Sequence, residues 1–349
     1  FHPGRLDALV NRPAFTHADV PYRIAPYAQT LEDPYDTITF DEGREALVAE
    51  RVAAEGSDGR LVHATDGDLV RVTLGEKVLL LLLAKLVNLV PGGGIWMNTQ
   101  RPEWNDANNA LVGRGLSVVT LAYIRRYLAF VQDLLTVGVE LSSELSELMT
   151  AGRDVLADKT DALAHGFDDV RRRGVMDGLG AAGTAYRERV YGGLSGERAA
   201  VPAADVAELL DLAQRYVDAG LRENRRDDGL VHSYNVLDLG PGRAGVRRLS
   251  EMLEGQVAIL SSGLLSPRES LELLSSLRGS KLYRADQHSY ILYPDKDLLG
   301  FLAKTRVSAE RAAGCSLVDR LVSAGYRSLL VRDVEGDVHF SAHIPNAHD

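Results

Sequence analysis

The chain is poor in several things that would each have narrowed its chemistry. One cysteine among 349 residues, Cys315, leaves no intramolecular disulfide and no paired-cysteine zinc spacing, which suits a reducing compartment and a cytoplasmic location. Aromatic residues make up 6%, with two tryptophans. Cations are outnumbered, 39 Lys and Arg against 49 Asp and Glu, for a formal net charge of −10. No cluster of Lys and Arg is dense enough to track a phosphate backbone against that field, so nucleic acid is not an expected partner. Long apolar runs are missing too. The longest, Val78 to Val90, contains Lys85 and Asn88 and falls short of the roughly 20 residues a membrane helix needs, so no membrane partner is expected. The chain opens on Phe1, and residues 1–30 have neither a basic start nor a long apolar stretch. No secretory signal is expected there, and the opening reads as a truncation or fragment boundary.

With 45% hydrophobic residues the chain can bury a large core. Helical periodicity dominates it, predicting helices over 41–55, 74–90, 106–137, 141–156, 159–173, 203–222, 247–260, 267–277 and 308–324. Ser266-Pro267-Arg268-Glu269 is a helix start in which Ser caps, Pro takes the first turn and Glu faces the positive dipole end. Strand-like pieces are few: 69–72, and a pair over 327–331 and 337–340 joined by Val334-Glu335-Gly336. The helices over 74–90 and 106–137 are apolar nearly all round and read as inner helices, while 203–222 is amphipathic and reads as outer. Two helical layers predict a mainly α fold, an α/α toroid of the six-hairpin barrel kind, whole or incomplete, with minor β-hairpins. It would form one domain over 1–349, with an irregular lead-in over 1–40 and a C-terminal hairpin and tail over 325–349. Polar, Gly-rich stretches over 91–109, 190–203 and 222–247 break the helical pattern.

The stretch with a chemical signal is Pro91-Gly92-Gly93-Gly94-Ile95-Trp96-Met97-Asn98-Thr99-Gln100-Arg101-Pro102-Glu103-Trp104-Asn105-Asp106-Ala107-Asn108-Asn109. It holds both tryptophans, several carboxamides beside carboxylates, and an Arg. Aromatic faces stack on the C–H surfaces of a pyranose, and planar amides and carboxylates hydrogen-bond its vicinal hydroxyls. The segment resembles the Trp-Asn-Asp motif of the cellobiose phosphorylase family and related six-hairpin α/α-barrel carbohydrate enzymes, through Trp104-Asn105-Asp106. The family's preceding Asp is Glu103 here. The resemblance implies that Asp106 is the general acid that protonates the glycosidic oxygen. Arg101, Trp104, Asn105, Asn108, Asn109 and Trp96 then hold the sugar. If Asp106 opens a helix, the dipole favours its ionised form, against the need of a proton donor; the same residues also suit a plain N-cap.

Hydrolysis with inversion needs a second carboxylate roughly 6.5–9.5 Å from the acid, whereas phosphorolysis uses inorganic phosphate as nucleophile and co-substrate. Asp286 or Glu254 is the candidate second carboxylate. Asp286 lies in Tyr283-Arg284-Ala285-Asp286-Gln287-His288-Ser289-Tyr290, which supplies Tyr283, Arg284 and Gln287 as further sugar contacts. Tyr234, in His232-Ser233-Tyr234-Asn235, is another, and Asp33-Pro34-Tyr35-Asp36 is a third segment with the same polar and aromatic mixture. Glu251 and Glu254 stand three apart on an expected helix. Nine scattered His give no local metal site, and Gly92-Gly93-Gly94 lacks the Lys and Ser/Thr of a P-loop, so neither a metal nor an organic cofactor is expected. The expected function is a glycoside phosphorylase or hydrolase acting with inversion on an oligosaccharide or glycoside. The alternative is a non-catalytic glycan-binding or assembly protein using the same loop. Sugar, linkage and oligomeric state stay open.

Overall fold

The computed structural model describes residues 3–98, 111–294 and 300–343. They form two compact units, Phe1–Pro294 and Asp295–Asp349. The first unit runs α1 (Pro3–Val10), β1 (Tyr22–Ile24), α2 (Tyr27–Glu32), β2 (Ile38–Phe40), α3 (Glu42–Glu55), α4 (Leu74–Leu86), β3 (Leu89–Val90), β4 (Gly94–Trp96), β5 (Gly115–Ser117), α5 (Val118–Leu134), β6 (Val139–Ser142), α6 (Ser143–Asp158), α7 (Asp161–His165), α8 (Asp169–Gly192), β7 (Arg198–Val201), α9 (Ala203–Glu223), β8 (Tyr234–Gly240), β9 (Arg243–Arg248), α10 (Leu253–Ser261), α11 (Pro267–Gly279), β10 (Tyr283–Arg284) and β11 (Ser289–Tyr290). The second holds α12 (Phe301–Thr305), β12 (Arg306–Val307), α13 (Ala309–Ala313), α14 (Ser316–Ser323), β13 (Leu330–Arg332) and β14 (Val338–Phe340).

The α/α toroid is overturned. The chain is 52% helical with 17% strand, and a five-stranded antiparallel sheet in the order β3-β4-β5-β8-β9 curls into a half-barrel. β4, β8 and most of β9 come from the stretches that break the helical pattern, whereas β3 and β5 fall within the helices expected over 74–90 and 106–137. β3, β4 and β5 are two or three residues long, below what a periodicity window senses. β8 and β9 meet through Gly240-Pro241-Gly242, with Gly242 at φ +65°, as a tight hairpin reversal demands. The helices give way accordingly: α4 stops at Leu86 and α5 starts at Val118, where Ser117 Oγ accepts from Thr120 N at 2.9 Å. The segment 247–260 is helical only from Leu253. Residues 69–72 make isolated bridges, His63 to Leu69 and Phe15 to Val72, in place of a strand.

The inner and outer layers are also corrected. α9 buries Leu209, Leu210, Ala213, Tyr216 and Val217 along one face against α5 and α6, as deep as anything in α4. Conversely α4 leaves Leu81 63% exposed and α5 leaves Tyr123 49% and Phe130 46% exposed. One core joins α4, α5, α6, α9 and α10; a smaller cluster of Val90, Trp96, Leu116, Met176, Leu237 and Ala244 fills the curl of the sheet. The Ser266 start forms as expected, a capping box in which Ser266 Oγ accepts from Glu269 N at 3.2 Å and Glu269 Oε2 accepts from Ser266 N at 2.8 Å.

In the second unit, β13 and β14 form the expected hairpin, with Val331 opposite His339, and β12 adds to the far side of β14. The expected helix over 308–324 is split by Gly314 and Cys315 into α13 and α14. Among the described residues no helix is long and apolar enough to cross a membrane.

Candidate functional site

The Pro91–Gly94 turn, which leads into β4, is held by three buried side chains from three elements. Arg172 Nε of α8 donates to Pro91 O at 2.7 Å, Asn224 Nδ2 to Gly92 O at 3.1 Å, and Asn235 Nδ2 of β8 to Gly93 O at 2.7 Å. Gly92 sits at φ +70°, and a Cβ there would lie 2.5 Å from Glu223 Oε2, so any other residue is strained and must push the Glu223 carboxyl aside. The Glu223 carboxyl lies 3.8 Å from Arg172 and 3.5 Å from Arg248; burial pushes its pKa up, against the two guanidiniums. This fixed turn aims Ile95–Asn98 along one wall of a cavity.

That cavity, about 580 Å³ and open to solvent, is lined by residues from seven elements, Ser117 of β5 among them, and the segments beside them. The C-terminal end of α4 gives Lys85 and, just beyond it, Asn88. β4 and its continuation give Trp96, Met97 and Asn98; the start of α5 gives Thr120 and Tyr123; α8 gives Arg187; β8 gives Tyr234; β1 gives Ile24. Asn98 and Leu111 both line it. The residues between them, 99–110, which include Arg101, Trp104, Asn105, Asp106, Asn108 and Asn109, lie outside the described residues.

Charge distinguishes this cavity. No carboxylate appears among its described lining residues, while Lys85 and Arg187 do, and neither pairs with a carboxylate among the described residues. Arg187 Nη2 donates weakly to Thr184 Oγ1 at 3.3 Å, its Nε is buried without a partner, and burial lowers its pKa. Arg187 is half-buried, with Glu188 acting on it through space, and its unpartnered donor is eased when an anion or a row of acceptors meets it. The amides opening α5 are already taken, Val118 N and Val119 N by Ser233 O and Thr120 N by Ser117 Oγ, so side chains are left to hold a ligand. A larger cavity of about 780 Å³, lined by Asp19, Tyr22, Arg23, Arg44 and Tyr191, has its charges paired internally: Arg44 with Asp19, Arg23 with Asp41.

Of the sequence-predicted residues, Trp96 is 3% exposed, packs in the curl of the sheet and donates through Nε1 to Gly113 O at 2.8 Å, so its ring faces are core surface. Tyr234 lines the cavity and its hydroxyl donates to Glu254 Oε2 at 2.6 Å, which brings two of the expected residues together. Glu251 stands before α10 and pairs with Arg226 at 3.2 Å, so it shares no helix face with Glu254. Tyr283, Arg284, Asp286 and Gln287 belong to the β10–β11 hairpin and its turn and are not among the described lining residues. There Arg278 stacks over Tyr283 at 3.8 Å, and Asp286 is an exposed carboxylate 2.9 Å from Arg284, whose hydrogen bond lowers its pKa. Tyr35, of the segment 33–36, has Arg114 over its ring at 5.9 Å.

Sequence reasoning missed Lys85, Asn88, Asn98, Tyr123 and Arg187 as site residues. Lys85 and Asn88, three apart in an otherwise apolar run, carried a signal. Arg187 carried none. As for cations, Asp333, Glu335 and Asp337 in the β13–β14 turn bring carboxylate oxygens within 4.8 Å of one another. Asp333 is already occupied there, accepting from Glu335 N, Asp337 N and His339 Nε2.

Residues 298–349 match the family model of GH149 phosphorylase insertion domain 2. The match is a likeness of this C-terminal stretch to part of a glycoside phosphorylase, and it does not single out the cellobiose phosphorylases. It falls on the second unit, and the Trp104-Asn105-Asp106 motif lies outside the matched residues. No curated protein matches the chain.

Proposed function

We propose that this chain cleaves a glycosidic bond by phosphorolysis with inversion, binding a saccharide and inorganic phosphate in the cavity beside Arg187. The observation that carries the reading is Arg187, half-buried with its Nε unpartnered, beside the exposed Lys85 in a cavity whose described wall holds no carboxylate. Such a wall suits a phosphate oxyanion, which a guanidinium meets with charge-assisted hydrogen bonds. The amides of Asn88 and Asn98, joined by a 2.7 Å bond from Asn98 Nδ2 to Asn88 Oδ1, suit sugar hydroxyls.

In the proposed reaction Asp106, the acid by resemblance, gives its proton to the glycosidic oxygen. A phosphate oxygen held by Arg187 and Lys85 attacks the anomeric carbon from the opposite face. The bond from that carbon to the leaving oxygen breaks, and a sugar 1-phosphate of inverted configuration forms. Phosphate takes the place of the water that a second carboxylate activates in an inverting hydrolase. The likeness of residues 298–349 to a phosphorylase insertion domain supports phosphorolysis over hydrolysis.

The test is to incubate the protein with a panel of oligosaccharides, with and without inorganic phosphate, and to follow sugar 1-phosphate. Product that depends strictly on phosphate supports the proposal. Reducing sugar formed without phosphate points to hydrolysis, and binding without turnover points to a glycan-binding protein.

A further inference from the structure

Beside amides and hydroxyls that both donate and accept, the cavity wall carries groups of one kind only. Lys85 and Arg187 bring only donors. Tyr234 differs, because a phenol has one proton and this one is committed: the hydroxyl donates to Glu254 Oε2 at 2.6 Å, a short charge-assisted bond. What the oxygen keeps is lone-pair capacity. Glu254 Oε1 accepts no hydrogen bond from a described residue, so the pair as a whole is an acceptor.

The pair is also held rigidly. The segment 231–233 is stitched to the start of α10 by four bonds: Gly255 N to Ser233 Oγ at 2.7 Å, Ser233 Oγ to Met252 O at 3.2 Å, Val231 N to Gln256 Oε1 at 2.9 Å and Gln256 Nε2 to Val231 O at 2.7 Å. A Cβ on Gly255 would lie 2.5 Å from Ser233 Oγ, so the approach is as close as glycine allows. Tyr234 itself is 4% exposed. Burial first, then the Glu254 bond, push its phenol pKa up, which keeps the proton on the oxygen.

A wall group that can only accept, with a carboxylate behind it, disfavours a phosphate dianion, whose oxygens are mostly acceptors and whose charge that carboxylate repels, and welcomes a neutral hydroxyl. We propose that Tyr234 and Glu254 form a hydroxyl-reading pair that selects one hydroxyl of the sugar and so sets how the ring lies relative to the phosphate. Tyr234 makes the contact, and Glu254 is a positioning residue that acts by holding the phenolic proton. The inference rests on the saccharide reading of the cavity.

The test needs binding alone. Calorimetric titration of glucose, galactose and mannose picks the tightest-binding hexose, and its monodeoxy derivatives and inorganic phosphate are then titrated into wild type, Tyr234→Phe, Glu254→Gln and the double variant. Tyr234→Phe is expected to weaken hexose binding about five- to tenfold, the worth of one hydrogen bond, and to leave phosphate binding unchanged. One deoxy derivative is expected to bind wild type and Tyr234→Phe equally. In Glu254→Gln the amide can donate to the phenol oxygen and release its proton toward the ligand, so hexose affinity is expected to fall with no loss for phosphate. The double variant is expected to be no weaker than Tyr234→Phe. Additive losses in the double variant, or a parallel fall in phosphate affinity, overturn the pair. No hexose binding to wild type overturns the saccharide reading itself.

Discussion

Replacing Arg187 by Met separates function from stability. The substitution keeps an unbranched stem and removes the charge. In the free protein that guanidinium costs stability, since its Nε is buried without a partner, its nearest hydrogen bond is the 3.3 Å contact to Thr184, and burial already lowers its pKa. Arg187→Met is therefore expected to leave the unliganded protein as stable as wild type or more so by about 1 kcal/mol. Phosphate should reverse the ranking. At about a hundred times its dissociation constant a ligand that binds only the folded state adds about 2.7 kcal/mol. For a chain of this length that raises the melting temperature of wild type by about 4 °C, whereas Arg187→Met is expected not to move. The assay is a pair of thermal melts, with and without phosphate, using sodium chloride at matched ionic strength as the control. A variant destabilised by several kcal/mol without phosphate, or one that keeps the full phosphate shift, refutes the reasoning.

Other outcomes follow from the same geometry. Gly92→Ala places a Cβ 2.5 Å from Glu223 Oε2 at φ +70°, whereas Gly56→Ala at φ +74° meets nothing within 4 Å. Urea unfolding should show a loss of about 1 kcal/mol for the second and about 2 to 4 for the first; equal losses would mean that the Glu223 contact is inconsequential. Asp106→Asn should lower turnover by orders of magnitude with little change in sugar affinity, read from steady-state rates beside calorimetry; a change in affinity alone would deny it the acid role. His17 has its pKa lowered from 6.5 to about 4, by burial and then by Lys77, so the unfolded chain takes up a proton that the folded one refuses. Stability should therefore fall between about pH 6.5 and 4, by up to about 3 kcal/mol, and His17→Gln should flatten that slope in denaturant titrations across the window; a slope unchanged in the variant would assign it to other groups.

The helices were legible because their signals are local and strong. Ser266 with Glu269, and the apolar spacing of Leu209, Leu210, Ala213 and Val217, state their structure within a few residues. The sheet was illegible for the opposite reason. Gly94–Trp96 pairs with Gly115–Ser117, which pairs with Tyr234–Val236, and Asn235, Asn224 and Arg172 hold the Pro91–Gly94 turn; these partners are distant in sequence, and no window around residue 94 contains that information. A run of apolar residues through Val90 then reads as a longer helix, and a layered toroid follows from helices drawn too long. The site was half visible. A polar, aromatic segment announces itself by composition, and Trp96 and Tyr234 do line the cavity, although composition could not say that the Trp96 ring is also buried in the curl of the sheet. Arg187 gives no sign, because its place in the cavity comes from other elements.

The most direct measurement is a crystal structure of the protein soaked with inorganic phosphate and a hexose. The account expects phosphate within hydrogen-bond distance of Arg187, the sugar against Asn98 and Tyr234, and the carboxyl of Asp106 facing the same cavity. An Asp106 turned to outer solvent or walled off from the cavity, with phosphate bound elsewhere, would contradict it.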